Sequence, residues 1–147
     1  MMIKQLNVQL ENQPGRLHVV SAAMAAAGVD ICAMTVSENA TAGVFRLLVS
    51  DIDRARQLMM EQQMPASVED VVAIRISDER GSLARLLEPI SAARINIVYM
   101  YAFSRAANDA IAVFRFSEPE RAVETLRAHG WEPASVDALF GARGGER

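Results

Sequence analysis

The stretch NQPGRLHVVSAAMAAAGVDI, residues 12–31, decides the fold because a related stretch, DERGSLARLLEPISAARINI, follows it at residues 78–97. Both begin with a polar turn that contains one glycine, Gly15 or Gly81. Both continue into a run with apolar residues at helical spacing and then into a β-rich run. The spacing of 66 residues between the two glycines therefore predicts an internal duplication.

Two further matches extend the duplication along the chain. Ser50 corresponds to Ser117 at an offset of 67, and the run PASV at residues 65–68 recurs unchanged at residues 133–136. Three matching blocks in the same order are difficult to obtain by chance. The charged, glycine-rich end of the chain is typical of a frayed terminus. The predicted organisation is one module over residues 1–70, a second over 71–141 and a flexible tail over 142–147.

Each copy is predicted to contain the elements β-α-β-β-α-β. The run IKQLNVQL at residues 3–10 alternates apolar residues with polar ones such as Gln5 and Asn7, which predicts a half-buried strand. A helix follows, and Gly28 is placed to end it. Arg94 occupies the equivalent position in the second copy and predicts either another stop or a strained residue. Two β-rich runs, a second helix and a short strand near PASV complete each copy.

The second helix of each copy begins with a capping-box pattern. Ser50 precedes Asp53 by three residues, and Ser117 precedes Glu120 by three, which predicts that the two serines cap their helices. Pro119 suits the first turn of its helix. This element order predicts an α+β fold: two ferredoxin-like βαββαβ modules in tandem, with antiparallel sheets that carry helices on one face.

The face without helices is expected to be polar, but the run INIVYMYAFS, residues 95–104, is apolar on both faces of its predicted strand. An exposed apolar surface of this kind indicates a protein partner. We therefore expect that the two copies associate with each other or that the whole chain forms a homodimer.

The composition argues against several classes of function. The formal net charge of −3 disfavours nucleic acid, which usually requires a basic face. The single cysteine, Cys32, excludes an intrachain disulfide and fits a reducing cytoplasm, where we expect the protein to reside. No apolar run has the length of a signal peptide or a membrane span, so no membrane partner is expected.

No set of residues indicates catalysis. His18 and His129 lie far apart, both are predicted at the surface, and neither has a partner at metal-ligand spacing. Cys32 falls within a predicted strand, where it is more typical of a small core residue than of a nucleophile. The carboxylates are spread over helix starts and turns. The sequence therefore predicts a protein that is not an enzyme, with no metal site and no cofactor.

The two glycine turns are the best candidates for a binding site. They lack the second glycine and the lysine of phosphate-binding loops, so a nucleotide site is not expected. Backbone N–H groups at the start of the helix suit a carboxylate, and Asn12 or Asp78 can accept a hydrogen bond from an ammonium group. A ligand with both groups is an amino acid. The alternative is that Asn12 and Asp78 only cap the helices.

The two stretches resemble the signature of ACT domains, which are regulatory modules that bind amino acids. That signature has Asn or Asp, two residues, Gly, one residue and Leu, then an apolar helix and Gly-Val-Asn-Ile. The first copy departs from it at Asp30, and the second departs at Arg80 and Arg94. The β-α-β-β-α-β order is that of the ACT fold, and the resemblance covers nearly the whole chain as two tandem copies.

In ACT families the ligand lies where two modules meet, with the first turn of one module facing the second strand of the other. The resemblance therefore implies contacts from both turns and from the strands that follow the first helices. Asp30 and Asp78 would repel a ligand carboxylate unless Arg16 or Arg80 offsets them, so one site could be degenerate. The implied contacts are Asn12, Gly15, Arg16, Leu17, Asp30 and Ile31 in the first copy and Asp78, Gly81, Ser82, Leu83, Asn96 and Ile97 in the second.

The resemblance implies a small stand-alone regulatory protein that binds a small amino acid and acts through assembly or on a partner enzyme or regulator. The alternative is a structural or protein-interaction module whose turns bind no ligand. A third hypothesis is an RNA-binding sheet, which needs exposed aromatic residues with basic neighbours. GVFRLLV and AVFRF contain phenylalanines beside Arg46 and Arg115, but the chain as a whole is acidic.

Overall fold

The computed structural model describes residues 2–11, 13–38 and 42–140. The chain divides into two compact units. The first unit is Lys4–Glu69, and the second is Asp70–Arg147 together with Met1–Ile3. Each unit has its own hydrophobic core.

The first unit is built from three strands and two helices, followed by the start of a fourth strand that continues into the second unit. Its elements are strand β1 (Ile3–Leu10), helix α1 (Arg16–Ala26), strand β2 (Ile31–Glu38), strand β3 (Gly43–Val49), helix α2 (Ile52–Glu61) and the first residues of strand β4 (Ala66–Ile76).

Strand β3 lies between β1 and β2 in the first unit. Phe45 of β3 pairs with Val8 of β1 on one side and with Val36 of β2 on the other, and both pairings are antiparallel. The backbone N–H of Gln9 donates to the carbonyl of Pro65 at 2.9 Å, so the chain that enters β4 runs beside β1. The core lies between these strands and the two helices.

The second unit repeats this arrangement, with the rest of β4 in the role of β1. Its further elements are helix α3 (Ser82–Ala92), strand β5 (Ile97–Ala106), strand β6 (Asp109–Phe116), helix α4 (Pro119–Ala128) and helix α5 (Val136–Phe140). Strand β6 is central and pairs antiparallel with β4 and β5; Ala112 of β6 lies opposite Ile74 of β4 and Ala102 of β5. The rings of Phe114 and Phe116 stack in the core of this unit with centroids 5.1 Å apart.

The predicted α+β fold of two tandem ferredoxin-like modules with antiparallel strands is confirmed. Gly28 follows the end of α1 with φ 72°, and Arg94 has φ 56° at the equivalent point after α3. Helix α3 therefore ends in the same left-handed turn as α1, with a strained residue in place of glycine, which is one of the two alternatives that the sequence left open. Pro119 occupies the first turn of α4, also as predicted.

The prediction for the second copy of PASV is wrong beyond its first residue. Pro133 forms only an isolated antiparallel bridge with Ile74, although the N–H of Ala134 donates to the carbonyl of Ala73 at 2.7 Å. Residues 136–140 then form the short helix α5. In the first copy the same four letters lead directly into the long strand β4, because the chain there continues without a turn.

The predicted capping boxes are also wrong, because each second helix begins one residue later than expected. Asp51 is the N-cap of α2, and its side chain accepts from the N–H of Arg54 at 3.0 Å. The hydroxyl of Ser50 accepts instead from the N–H of Asp30 at 2.9 Å. In the second unit the N-cap is Glu118, without a side-chain cap bond. Ser117 therefore does not cap α4.

Strand β1 is more buried than a half-buried strand. Gln5 and Asn7, predicted to face solvent, are buried, and the amide of Gln5 donates to the side-chain oxygen of Asn7 at 2.8 Å. Two neighbouring amides on one face of a strand can satisfy part of each other's hydrogen-bonding capacity. The alternation in the sequence therefore identified the strand but not the burial of its polar face.

Candidate functional site

The turn before α1 has a backbone conformation that favours glycine. Gly15 has φ 88° and ψ −6° and is the N-cap of α1. Gly81 has nearly the same angles, φ 87° and ψ −2°, before α3. An L-residue is strained in this left-handed region, which gives a physical reason for the glycine at both positions. Asn12 of the predicted site lies outside the described residues.

A cleft of about 430 Å³ opens beside the first turn. One wall is the turn and the start of α1, and the other is the end of β2 with the start of β3. These segments meet at Gly43, which pairs with Leu10 of β1 on one side and with Glu38 of β2 on the other. The predicted residues that line this cleft are Gly15, Arg16 and Leu17.

The cleft combines charged groups with apolar walls. One guanidinium nitrogen of Arg16, Nη2, donates to the carboxylate of Glu11 at 3.2 Å and to the side-chain oxygen of Gln13 at 3.4 Å. Glu38 places a second carboxylate on the opposite wall and is exposed. Apolar lining comes from Leu10, Pro14, Leu17 and Val36. A zwitterion with an apolar side chain would find partners for each of its parts here.

The second turn is held by contacts within its own unit. The carboxylate of Asp78 accepts from the N–H of Asn108, in the turn between β5 and β6, at 2.8 Å. Ser82 is buried, and its hydroxyl lies 3.2 Å from that of Ser77. Helix α3 has no side-chain cap bond. The alternative that Asp78 only caps α3 is therefore wrong, since this side chain holds the neighbouring hairpin instead.

The predicted strand contacts take part in interactions within their own units. The carbonyl of Asp30 accepts from the N–H of Ser50 at 2.9 Å, and the carbonyl of Asn96 accepts from that of Ser117 at 3.0 Å. Ile31 and Ile97 pack against the cores of their units. None of these four residues lines the cleft. Their contact with a ligand stays a prediction from the family resemblance.

Exposed apolar side chains recur at equivalent positions of the two units. In the first unit Leu17, Met34 and Val36 are 42%, 54% and 51% exposed, and we call these three residues the apolar rim. Leu83 and Met100 occupy the positions of Leu17 and Met34 in the second unit and are also exposed. Leu17 is one of the ligand contacts that the family resemblance implies. Its exposure at the start of α1 places it on the wall of the cleft.

Sequence reasoning missed the wall formed by Val36, Ser37, Glu38 and Gly43. The antiparallel pairing of β3 with both β1 and β2 brings the ends of β1 and β2 to the same edge of the sheet, close to the turn. The turn residues were recognised from their own pattern. The opposite wall could be found only from the strand order and register.

The aromatic residues of the RNA hypothesis lie in the cores of the two units. Phe45, Phe114 and Phe116 are almost completely buried and cannot stack on bases in the folded protein. Arg46 donates to the hydroxyl of Ser37, and Arg115 donates to the carbonyl of Asp70. These arginines therefore take part in contacts within their own units.

The expectations for metal ligands, histidines and membrane spans can be compared with the described residues. Within the described ranges, no group of three or more His, Cys, Asp or Glu side chains is placed to hold a metal ion. His18 and His129 are exposed, as predicted. No helix in the described part of the chain is long and apolar enough to cross a membrane.

Comparison with known proteins identifies the family. The family described as ACT domain pair matches residues 1–131, and the chain belongs to this family. The crystal structure of protein BT0572 from Bacteroides thetaiotaomicron is similar over 95% of this chain and 96% of that one, with 33% identity and a TM-score of 0.89. No curated protein matches the sequence.

Two more distant structures share the fold. The regulatory subunit of aspartate kinase from Thermus thermophilus, in a ligand-free form, is 17% identical, with a TM-score of 0.62 over 86% of this chain and 90% of that one. The corresponding subunit from Thermus flavus is also 17% identical, with a TM-score of 0.59 over 93% and 92%. At this identity the similarity establishes the ACT fold and nothing finer.

Proposed function

We propose that the protein is a non-enzymatic regulatory protein that binds a small amino acid at the turn of its first unit and transmits binding through assembly or to a partner protein. The observation that carries the proposal is the cleft beside Gly15, Arg16 and Leu17, with one cation and two carboxylates around apolar walls. Membership of the ACT domain pair family supports this kind of ligand.

The charges of the cleft suit the two ends of a free amino acid. The guanidinium of Arg16 has five N–H donors in a planar fork, and its described contacts use one of its nitrogens. Further donors of that fork can therefore approach a carboxylate. Glu11 and Glu38 supply acceptors for an ammonium group. Through the family resemblance, the proposal also includes contacts from Asn12, Asp30 and Ile31. An equivalent site in the second unit would use Asp78, Gly81, Ser82, Leu83, Asn96 and Ile97.

The apolar rim connects the cleft to assembly. Leu17 and Val36 line the cleft and belong to the rim, so a ligand in the cleft would cover or reorder part of an exposed apolar surface. Exposed apolar surface of this kind favours association with another protein. We propose that two copies form a homodimer through this surface and that the ligand changes its stability. A cytoplasmic location is part of the same proposal.

The binding test is isothermal titration calorimetry of the whole chain against the twenty amino acids. At least one of them is expected to bind with a Kd of about 1 mM or tighter, which corresponds to about −4 kcal/mol. Gly15→Ala, which strains the turn, should weaken that binding. Heats no larger than those of dilution for all twenty amino acids would contradict the proposed ligand class.

The assembly test is sedimentation velocity on the native chain and on Met34→Glu, with and without the amino acid that binds. Met34 belongs to the rim but does not line the cleft, so Met34→Glu should weaken the dimer and leave the cleft intact. Exposed Met60 provides the matched control, because Met60→Glu adds the same charge on α2, away from the rim. Equal dissociation of both variants would contradict a role of the rim.

A structural or protein-interaction module without a ligand is the second candidate. The second turn favours it, because Asp78 and Ser82 are used in contacts within the unit. That candidate predicts an assembly whose sedimentation coefficient does not change with any amino acid. The proposed function predicts that the coefficient shifts when the ligand is added.

A further inference from the structure

Taking the proposed function as its basis, we infer that the first unit alone binds the ligand, at one site per chain, and that the ligand is an amino acid with an apolar side chain. The turn of the second unit is then a structural copy of the first. The comparison of equivalent residues in the two turns carries this inference, because the duplication supplies matched positions.

The first difference is a pair of side chains on the turn. In the first unit Glu11 and Arg16 form an ion pair at 3.2 Å, with both side chains partly exposed at the cleft. The residues 66 positions later are Ser77 and Ser82, whose hydroxyls lie 3.2 Å apart. The same position thus carries opposite charges in one unit and a neutral, part-buried contact in the other. Of these two pairs, only Glu11 and Arg16 can bind the charged groups of a zwitterion by ion pairing.

The second difference is what lies over the glycine. A Cβ added to Gly15 would meet no atom of the described residues within 4 Å. A Cβ added to Gly81 would lie 3.6 Å from Nη1 of Arg85. Arg85 stands where the first unit has Val19, and its guanidinium is also 3.9 Å from the carboxylate of Glu79. The end of the Arg85 side chain therefore lies over Gly81, whereas the first turn opens to the cleft.

The third difference is that Asp78 forms a hydrogen bond within its own unit. Its carboxylate oxygen accepts the N–H of Asn108 at 2.8 Å, which ties the turn before α3 to the turn between β5 and β6. The ion pair of Arg75 with Asp109, at 3.1 Å, lies beside the same turn. This bond occupies one carboxylate oxygen and orients the side chain of Asp78 toward the hairpin, so a ligand ammonium group could use only the remaining acceptor capacity in that orientation. A cleft of the second unit lies beside α3 and Trp131, and none of residues 77–83 lines it.

The chemical class of the ligand follows from the walls of the first cleft. The charged groups Glu11, Arg16 and Glu38 match the ammonium and carboxylate that every free amino acid carries. The apolar part of the remaining lining consists of Leu10, Pro14, Leu17 and Val36, and the polar side chains beside it are Gln13, His18 and Ser37. An ionised side chain that ended against the apolar part would lose water without gaining a partner. An aliphatic side chain would bury apolar area there.

The test is calorimetric titration of the whole chain with L-leucine, L-lysine and L-aspartate as probes. Leucine is expected to bind with one molecule per chain. Lysine and aspartate should bind about tenfold more weakly or worse. Glu11, Arg16 and Glu38 are taken by the ammonium and carboxylate groups of the ligand, so a second charge would lie against the apolar part of the lining. Two bound leucines per chain would overturn the single site. Tighter binding of lysine or aspartate would overturn the ligand class.

Variants at the two turns separate the inference from the proposed function. Arg16→Gln should weaken leucine binding about tenfold or more, and the matched variant Arg85→Gln should leave it unchanged. Val36→Thr keeps the size of the wall but makes it polar, and it should also weaken leucine binding. Equal losses in the Arg16 and Arg85 variants, or loss in the Arg85 variant alone, would overturn the assignment to the first unit. If none of the twenty amino acids bound to the native chain, the proposed function itself would fail.

Discussion

The turns of the two units share a backbone and differ in their side chains. Gly15 and Gly81 have φ values of 88° and 87°, and each precedes an eleven-residue helix. Around the first glycine the side chains are charged and border an open cleft, whereas Ser82 in the second turn is buried against Ser77. The duplication therefore kept the geometry of the turn, and residue types at matched positions decide whether the turn remains open to a ligand.

The largest difference that mutation should reveal lies in the cores. Phe114 of the second unit stacks on Phe116 at the position where the first unit has Leu47. Phe114→Ala is expected to cost about 3–5 kcal/mol of unfolding free energy in urea denaturation, because it leaves a cavity beside the remaining ring. Amide hydrogen exchange should show lost protection mainly in residues 70–140. Equal loss in residues 4–69 would contradict separate cores.

The next largest effect on stability is expected at the two glycines, whose left-handed backbone conformation the two turns share. Gly15→Ala and Gly81→Ala should each cost about 1–2 kcal/mol in thermal or urea unfolding, because both place a Cβ in the left-handed region. Among the described residues, no atom lies closer than 3.6 Å to a Cβ added at either glycine, so strain in φ is the dominant cost. Only the Gly15 variant should also weaken amino-acid binding. A binding loss confined to the Gly81 variant would reverse the comparison of the turns.

A smaller effect is expected at the ends of α1 and α3, where one substitution should raise the free energy of unfolding. Gly28 and Arg94 occupy equivalent left-handed positions, with φ 72° and 56°. Arg94→Gly should raise the unfolding free energy by up to about 1 kcal/mol, since it removes strain that exceeds the added entropy of the unfolded chain. Gly28→Ala should lower it. A melting temperature for Arg94→Gly below that of the native chain would contradict strain at this residue.

The caps of the second helices provide the smallest contrast. Asp51 accepts from the N–H of Arg54, so Asp51→Ala should cost about 1 kcal/mol in urea unfolding. Glu118 is an N-cap without such a bond and makes only an exposed ion pair with Arg121 at 3.1 Å. Glu118→Ala should therefore cost less than about 0.5 kcal/mol. The reverse order of the two losses would show that the assigned caps are incorrect.

The sequence predicted the fold well because its signals are local and repeated. Helical and strand periodicity, the glycine turns and the offset between copies are properties of short segments that the structure retains. Comparison with Gly28 reduced Arg94 to two alternatives, another stop or a strained residue, and the structure has the second. Burial of Gln5 was missed because it depends on what covers a face of the sheet, which a single strand does not encode. The capping serines were missed because Asp51, one residue further on, is as good a cap.

The candidate site could be predicted only in part, because some of its residues come from segments that are distant in sequence. Gly15, Arg16 and Leu17 were identified from the turn itself. Val36 and Glu38 come from a strand more than 15 residues away in sequence, and register alone places them opposite the turn. The contacts that distinguish the second turn, from Arg85 and Asn108, depend on side-chain placement. No spacing rule in the sequence predicts such placement.

The most direct test of the central claim is a crystal structure of the native chain soaked in a mixture of the twenty amino acids. The account predicts density for one amino acid in the first unit, with its carboxylate at Arg16 and its side chain between Leu17 and Val36. It predicts no such density between Asp78 and Leu83. An amino acid bound at the second turn, with the cleft of the first unit empty, would contradict the account.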